Sequence, residues 1–316
     1  MASTPLRLVV IGNGMVGHRL LTELAGTGAL EHLQVTVLGE EPRTAYDRVA
    51  LSSFLDGRSA EDLSLVEDGF FERHGIALHL GDPVTGVDLD PQVVTTASGR
   101  RFGYDRLVLA TGSAPFVPPI DGHDLPGCFV YRTIEDLEAI AAAAAEAPNR
   151  RGVVIGGGLL GLEAANALRN LGLDTHVVEF APRLMPAQLD DGAGRTLRRL
   201  IEALGVQVHT ERRTAGVEHD GTRPTALTFD GADPLATDLV VFSAGIRPRD
   251  ALARQCGLAV GERGGIEVDP TMTTSDPAVL AIGECALVGG RVYGLVAPGY
   301  QMAHAARCVA ATRAIW

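Results

Sequence analysis

The chain has 316 residues, of which 46% are apolar and 21% charged, and its formal net charge is -12. That length accommodates two domains of ordinary size, each with its own core. The acidic balance, with no lysine or arginine block to override it, argues against nucleic acid as a partner, and no apolar segment reaches the roughly 18 residues that a membrane span needs.

The first five residues lack the basic-then-apolar pattern of a secretory signal, so a cytoplasmic protein without a membrane partner is expected. Cys128, Cys256, Cys285 and Cys308 lie more than 20 residues apart, which leaves no C-x-x-C for zinc, iron-sulfur or dithiol chemistry. The nine histidines are equally scattered, and no metal site is expected.

RLVVIGNGMVG (7–17) opens the chain with a short apolar run leading into Gly12, Gly14 and Gly17 at the G-x-G-x-x-G spacing. The run reads as a buried parallel strand, and the apolar residues after it recur at helical spacing. The three glycines serve different ends. Gly12 permits the tight turn, Gly14 leaves room for a pyrophosphate, and Gly17 lets the helix pack close to the strand. A second strand-like run (34–38) leads to Glu40, about 23 residues beyond Gly17, where a carboxylate accepts from the ribose hydroxyls of an adenosine.

EPRTAYDRVALSSFLDG (41–57) is rich in turn formers, and the 59–75 stretch reads as a helix with acids in its first turn. Stretches 76–80, 83–89, 93–96 and 101–104 read as short strands of an antiparallel meander. DRLVLATG (105–112) is another buried strand ending on a turn of small residues. Pro115, Pro118 and Pro119 mark an extended crossing segment, where a first domain boundary is expected. The alanine-rich 135–147 stretch reads as a connecting helix.

The opening signature then recurs. RGVVIGGGLLG (151–161) sets Gly156, Gly158 and Gly161 at the same spacing, and the strand 175–178 ends on Glu179, 18 residues past Gly161. A carboxylate there accepts from a free 2'-hydroxyl and repels a 2'-phosphate, so NADH is favoured over NADPH, with Arg183 near enough in sequence to blunt the repulsion. A helix (190–204) and strands at 207–210, 226–229 and 239–243 complete the second domain.

With both signatures in place, the whole chain resembles the two-dinucleotide flavoproteins, the family of glutathione reductase, rubredoxin reductases and ferredoxin reductases. The resemblance implies an α/β fold with two Rossmann-like domains, the NAD(P)H domain (119–245) inserted in an FAD domain made of 1–118 and 246–316. ATG (110–112) and SAGIRP (243–248) match the family's crossover turns, and TTSDPAVLAIGECA (273–286) is similar to the segment whose acid holds the flavin's ribityl chain. Here that acid is Glu284. Family members usually continue into an interface domain, whereas this sequence stops at Trp316, as a minimal form or as part of something longer.

The resemblance implies FAD on Gly12, Gly14, Met15, Gly17, Glu40, Thr111, Gly112, Gly283 and Glu284, with Arg48 or Ser53 beside the isoalloxazine. It implies NADH on Gly156, Gly158, Gly161, Glu179 and Gly245, with Glu163 at the helix start near the nicotinamide. Arg48, Ser53 and Glu163 are therefore the candidate catalytic residues. Their alternatives are a solvated loop for Arg48 and Ser53 and simple helix stabilisation for Glu163. Disulfide reductases carry a cysteine pair soon after the first adenosine acid, and this sequence has none. Ferredoxin reductases carry a lysine where Ser53 stands.

Within the family, VVIGNGMVGHRLL (9–21), GEEPRTAYDRVALSS (39–53), AIGECA (281–286) and YGLVAPGYQMA (293–303) are similar to the N-terminal FAD module of assimilatory nitrite reductase large subunits. That likeness implies an FAD-dependent NADH oxidoreductase whose electron acceptor lies on a further C-terminal segment. The alternatives are a stand-alone reductase that serves a separate redox protein, such as a rubredoxin or ferredoxin, and a non-catalytic nucleotide sensor.

Overall fold

A computed structural model describes residues 5–312, so Trp316 lies outside the described residues. The chain divides into two compact units, one of residues 1–47, 64–114 and 247–316 and the other of residues 48–63 and 115–246.

The first unit is built on a five-stranded parallel sheet. Its order is Val279–Ala281, Arg106–Leu109, Leu6–Ile11, Leu33–Leu38 and Ala77–His79. Leu8, Val10, Leu107 and Val108 are fully buried, as expected of central strands covered on both faces. The helix Met15–Gly26 turns Leu20, Leu21 and Leu24 into this core, and the helix Val296–Ala310 adds Ala303 and Ala306. Gly299 sits against Val16, where a β-carbon would meet Val16 Cγ2 at 2.6 Å, so the YGLVAPGYQMA stretch owes its glycine to close helix packing.

Three of the four strands expected after residue 75 form the antiparallel meander Val84–Asp88, Val93–Thr96 and Arg101–Gly103. The fourth, Ala77–His79, instead extends the parallel sheet by pairing with Thr36–Leu38. The helix expected over 59–75 is reduced to the single turn Phe70–Arg73. Ser59 and Asp62 do exchange reciprocal side-chain to backbone bonds, which is a helix-start arrangement. The chain then leaves to bridge Ser64 with Tyr46, and Gly69 takes a left-handed φ of 68°.

The second unit repeats the design. Its parallel sheet runs Gln207–His209, Asp174–Val178, Arg151–Ile155, Leu239–Phe242 and Cys128–Val130, and its meander is Thr214–His219, Pro224–Phe229 and Ala232–Ala236. The alanine-rich helix Ile134–Glu146 begins at a capping box between Thr133 and Asp136. Residues 48–63 group with this unit, and their bonds account for it: Arg48 donates to the Arg132 carbonyl, Tyr131 to Ser52, and Asn170 to Asp56. Among the described residues no helix is long and apolar enough to cross a membrane, and no three histidine, cysteine or acidic side chains converge as metal ligands.

A histidine pair, one member buried and the other half-buried, gives this unit an acid sensitivity. His176 and His209 stack, with Nδ1 of the first 3.0 Å from Nε2 of the second. Burial pushes both below the ordinary histidine value, and for His209 the nearby His176, Arg212 and Arg198 push the same way. The unfolded chain therefore binds more protons than the folded one as pH falls through about 6.5 and below, so stability drops on acidification. Thermal unfolding followed between pH 7.5 and 5 is expected to show this loss, at no more than about 1.4 kcal/mol per pH unit for each histidine, with a shallower slope in His209→Gln.

Candidate functional site

In each unit the strand order reverses beside the first strand of the glycine signature, and crevices for ligands open at such switch points. In the first unit Gly12 turns there with φ 110°, and a β-carbon on it would collide with the Ala110 carbonyl oxygen. In the second unit Gly156 turns with φ 118° against the Ser243 carbonyl oxygen. ATG and SAG are thus the same structural part in two copies. Gly17 and Gly161 lie so close to the carbonyls of Gly12 and Gly156 that no side chain fits there.

Gly14 and Gly158 differ from the other two members of each triplet, because a β-carbon on either would meet nothing within 4 Å. They stand at the N-caps of twelve-residue helices, Met15–Gly26 and Leu159–Asn170, and neither helix is capped by a side chain. Each turn therefore presents helix amides and the positive end of the helix dipole toward open space, which suits a diphosphate. In the first turn both polar atoms of the Asn13 amide are buried and have no protein partner. The residues present fit one dinucleotide per unit.

The first unit gathers further groups at this end of its sheet. Glu40 is exposed, and its carboxylate accepts from Arg249 Nη1 at 2.5 Å. Arg249 is itself bolted to the ATG turn: its backbone N–H donates to Gly112 at 2.9 Å, and its carbonyl accepts from Thr111 Oγ1 at 2.6 Å. Glu284 follows Gly283, whose φ is 82°, and accepts from Ser113 Oγ at 2.6 Å. Met15 opens the glycine helix. Sequence reasoning missed Arg249, which lies 209 positions from Glu40 and carries no motif.

In the second unit Glu179 is drawn inward. One carboxylate oxygen accepts from the Gly157 N–H at 2.6 Å and the other from the Ala181 N–H at 2.7 Å, so the acid is fixed to the glycine turn. Arg183 points elsewhere, donating to the Leu189 carbonyl and pairing with Asp191 at 2.7 Å. Phe180 and Leu159 flank this turn with side chains 73% and 55% exposed, apolar surface of the kind that ring ligands cover. Gly245, with φ 110°, closes the SAG turn.

The candidate catalytic residues fall into one corner of the second unit. Ser53 donates its hydroxyl back to the Ala50 carbonyl at 2.6 Å, within its own turn, and Arg48 donates to the Arg132 carbonyl. Burial pushes the Glu163 carboxyl above its ordinary value, and Ser52 counters this in part. Glu163 stands just past the first helical turn, which contains no acid, so stabilisation of the helix end does not account for it.

Comparison with known proteins agrees with this geometry. The model of the family described as pyridine nucleotide-disulphide oxidoreductase matches residues 6–310. A nitrite reductase [NAD(P)H] large subunit from Klebsiella oxytoca is 58% identical over 296 residues, covering 94% of this chain and 31% of its own length. The nitrite reductase (NADH) large subunit of Escherichia coli (strain K12) is 52% identical over 303 residues, covering 95% of this chain and 35% of its own. The chain thus spans about a third of these relatives. Among solved structures, the covalent putidaredoxin reductase-putidaredoxin complex matches with TM-score 0.88 and 28% identity, over 97% of this chain and 75% of that one. An NAD-dependent persulfide reductase from A. fulgidus matches with TM-score 0.89 and 26% identity, over 98% of this chain and 60% of that one.

Proposed function

The chain belongs to the pyridine nucleotide-disulphide oxidoreductase family, and on that footing we propose that it is the electron-input module of a nitrite reductase large subunit. It is an FAD-dependent NAD(P)H oxidoreductase with an α/β fold of two Rossmann-like domains. The observation that carries the finer reading is the 52 to 58% identity to nitrite reductase large subunits over nearly the whole of this chain.

The chemistry that FAD supplies when bound is uptake of a hydride from the reduced nicotinamide and onward release of the electrons. The protein's part is placement. On this reading the first glycine turn, Glu40, Thr111, Gly112 and the Gly283–Glu284 pair hold FAD, with Arg249 as a partner of Glu40. The second turn, Glu179 and Gly245 hold NADH, with Glu163 at the nicotinamide end. Arg183, committed to Leu189 and Asp191, leaves Glu179 to repel a 2'-phosphate, which supports NADH over NADPH. Arg48 or Ser53 stands beside the isoalloxazine, and Arg48 also organises the loop 48–63 through the Arg132 carbonyl. The same reading assigns the reaction to the cytoplasm, and its acceptor to the remainder of the large subunit.

A complementation experiment tests this. The flavin-loaded chain should be bleached anaerobically by NADH and should reduce artificial acceptors but not nitrite. Mixed with a nitrite reductase large subunit deleted for the matching third, it should restore NADH-dependent nitrite reduction. Bleaching without restoration, together with saturable turnover of a rubredoxin or ferredoxin, would instead support the stand-alone reductase, a reading favoured by the putidaredoxin reductase likeness. The net charge of -12 weighs against an acidic carrier, since like charges slow encounter.

A further inference from the structure

We propose that Arg249 is a diphosphate ligand of the first unit as well as the counter-ion of Glu40, so that one guanidinium serves the ribose acid and the phosphates together. The inference rests on the reading that this unit takes FAD on its first glycine turn.

The path of the side chain follows from the sheet. The strands Arg106–Leu109, Leu6–Ile11 and Leu33–Leu38 lie side by side and parallel, with Leu109, Ile11 and Leu38 level at their ends. The ATG turn continues the first strand, the glycine turn the second, and Gly39 and Glu40 the third. Gly12 is wedged in the middle: its N–H donates to the Leu38 carbonyl at 2.8 Å, and a β-carbon on it would collide with the Ala110 carbonyl oxygen. Arg249 starts on the ATG side, where its main chain is bonded to Thr111 and Gly112, and its guanidinium ends on Glu40. It therefore crosses two strand spacings, about 10 Å, and passes over the strand end where the glycine turn begins.

Charge decides what this crossing can do. A dinucleotide with its ribose on Glu40 and its phosphates on the glycine turn sets a diphosphate near a carboxylate, and such like charges repel. Arg249 spans the ground between them. Its Nη1 is on Glu40, and a guanidinium carries further N–H donors in a planar fork that matches phosphate oxygens. The Arg249–Glu40 pair is exposed, 42% and 57% by side chain, so by itself it adds little to stability. Its consequence falls on the ligand.

The direct test is a double-mutant cycle on flavin retention, with release of FAD from the loaded chain followed by flavin fluorescence. Arg249→Gln removes the charge but keeps the main-chain bonds to Thr111 and Gly112, so the ATG turn should hold. FAD should leave this variant about 30-fold faster, and by at least about the same factor when Glu40→Gln is the background. An Arg249 effect that vanishes in the Glu40→Gln background would mean that the arginine only orients the acid, and would overturn the inference. Titration calorimetry on chain stripped of flavin gives a second reading, because adenosine and ADP share the ribose and only ADP carries the diphosphate. Arg249→Gln should weaken ADP about 30-fold and leave adenosine within about threefold of its wild-type affinity, whereas equal losses for both would overturn the inference. Should Arg249→Gln retain no flavin, Arg249→Lys, a point charge without the fork, should release FAD at an intermediate rate and decides by the same cycle. A wild-type chain that binds neither FAD nor ADP would instead overturn the reading beneath the inference, and the inference with it.

Discussion

Gly156→Ala should yield a yellow protein that NADH no longer bleaches, whereas Gly12→Ala should yield a colourless one. In each variant the new β-carbon collides with a strand-end carbonyl, Ser243 in one case and Ala110 in the other, and the backbone φ of 118° or 110° suits glycine alone. The carbonyl belongs to backbone rather than to a flexible side chain, so it cannot swing away. A cost of about 3 to 5 kcal/mol is expected, a large share of the stability of an ordinary domain. Because each glycine lies in a different unit, each loss should be confined to one cofactor. Absorption spectra before and after anaerobic NADH, with thermal unfolding as control, check both halves; loss of flavin from both variants would mean that the turns do not serve separate cofactors.

Glu179→Ala should weaken NADH binding by roughly 30-fold while leaving NADPH binding nearly unchanged. The carboxylate is pre-oriented by two short bonds, from Gly157 N–H at 2.6 Å and Ala181 N–H at 2.7 Å, so it offers its remaining lone pairs to a ribose without a further ordering cost. Bonds to a charged acceptor contribute about 1.5 to 3 kcal/mol, and 2 kcal/mol corresponds to roughly a 30-fold change. For NADPH the lost attraction is offset by relief of repulsion between carboxylate and 2'-phosphate. Kd values from fluorescence titration of the two nucleotides provide the check, and an equal loss for both would remove Glu179 from the basis of selectivity.

Much of the architecture is legible in the sequence because its signals are local. The two glycine triplets, the apolar runs before them and the acids 18 to 23 residues after them lie within short windows of sequence, and each window folds into one strand-turn-helix unit. The 59–75 stretch misleads for the same reason: Ser59 and Asp62 signal a helix start, but the bridge from Ser64 to Tyr46 that ends it depends on tertiary context. The site is less legible. Ser52 and Ser53 are indistinguishable by composition, and only the fold shows that one meets a tyrosine 79 positions away while the other closes its own turn. Arg249 is silent for the same reason, since nothing near it in sequence announces Glu40.

The packing of Val16 against Gly299 joins the first described helix of this chain to its last described one. During synthesis the glycine turn at residues 12–17 emerges well before the helix that backs it, which lies nearly 300 residues farther along the chain. Residues 115–246, which supply most of the second unit, leave the ribosome in one stretch before that helix exists. The cradle encoded first is therefore completed last, and a nascent chain should acquire its NADH fold ahead of its flavin fold.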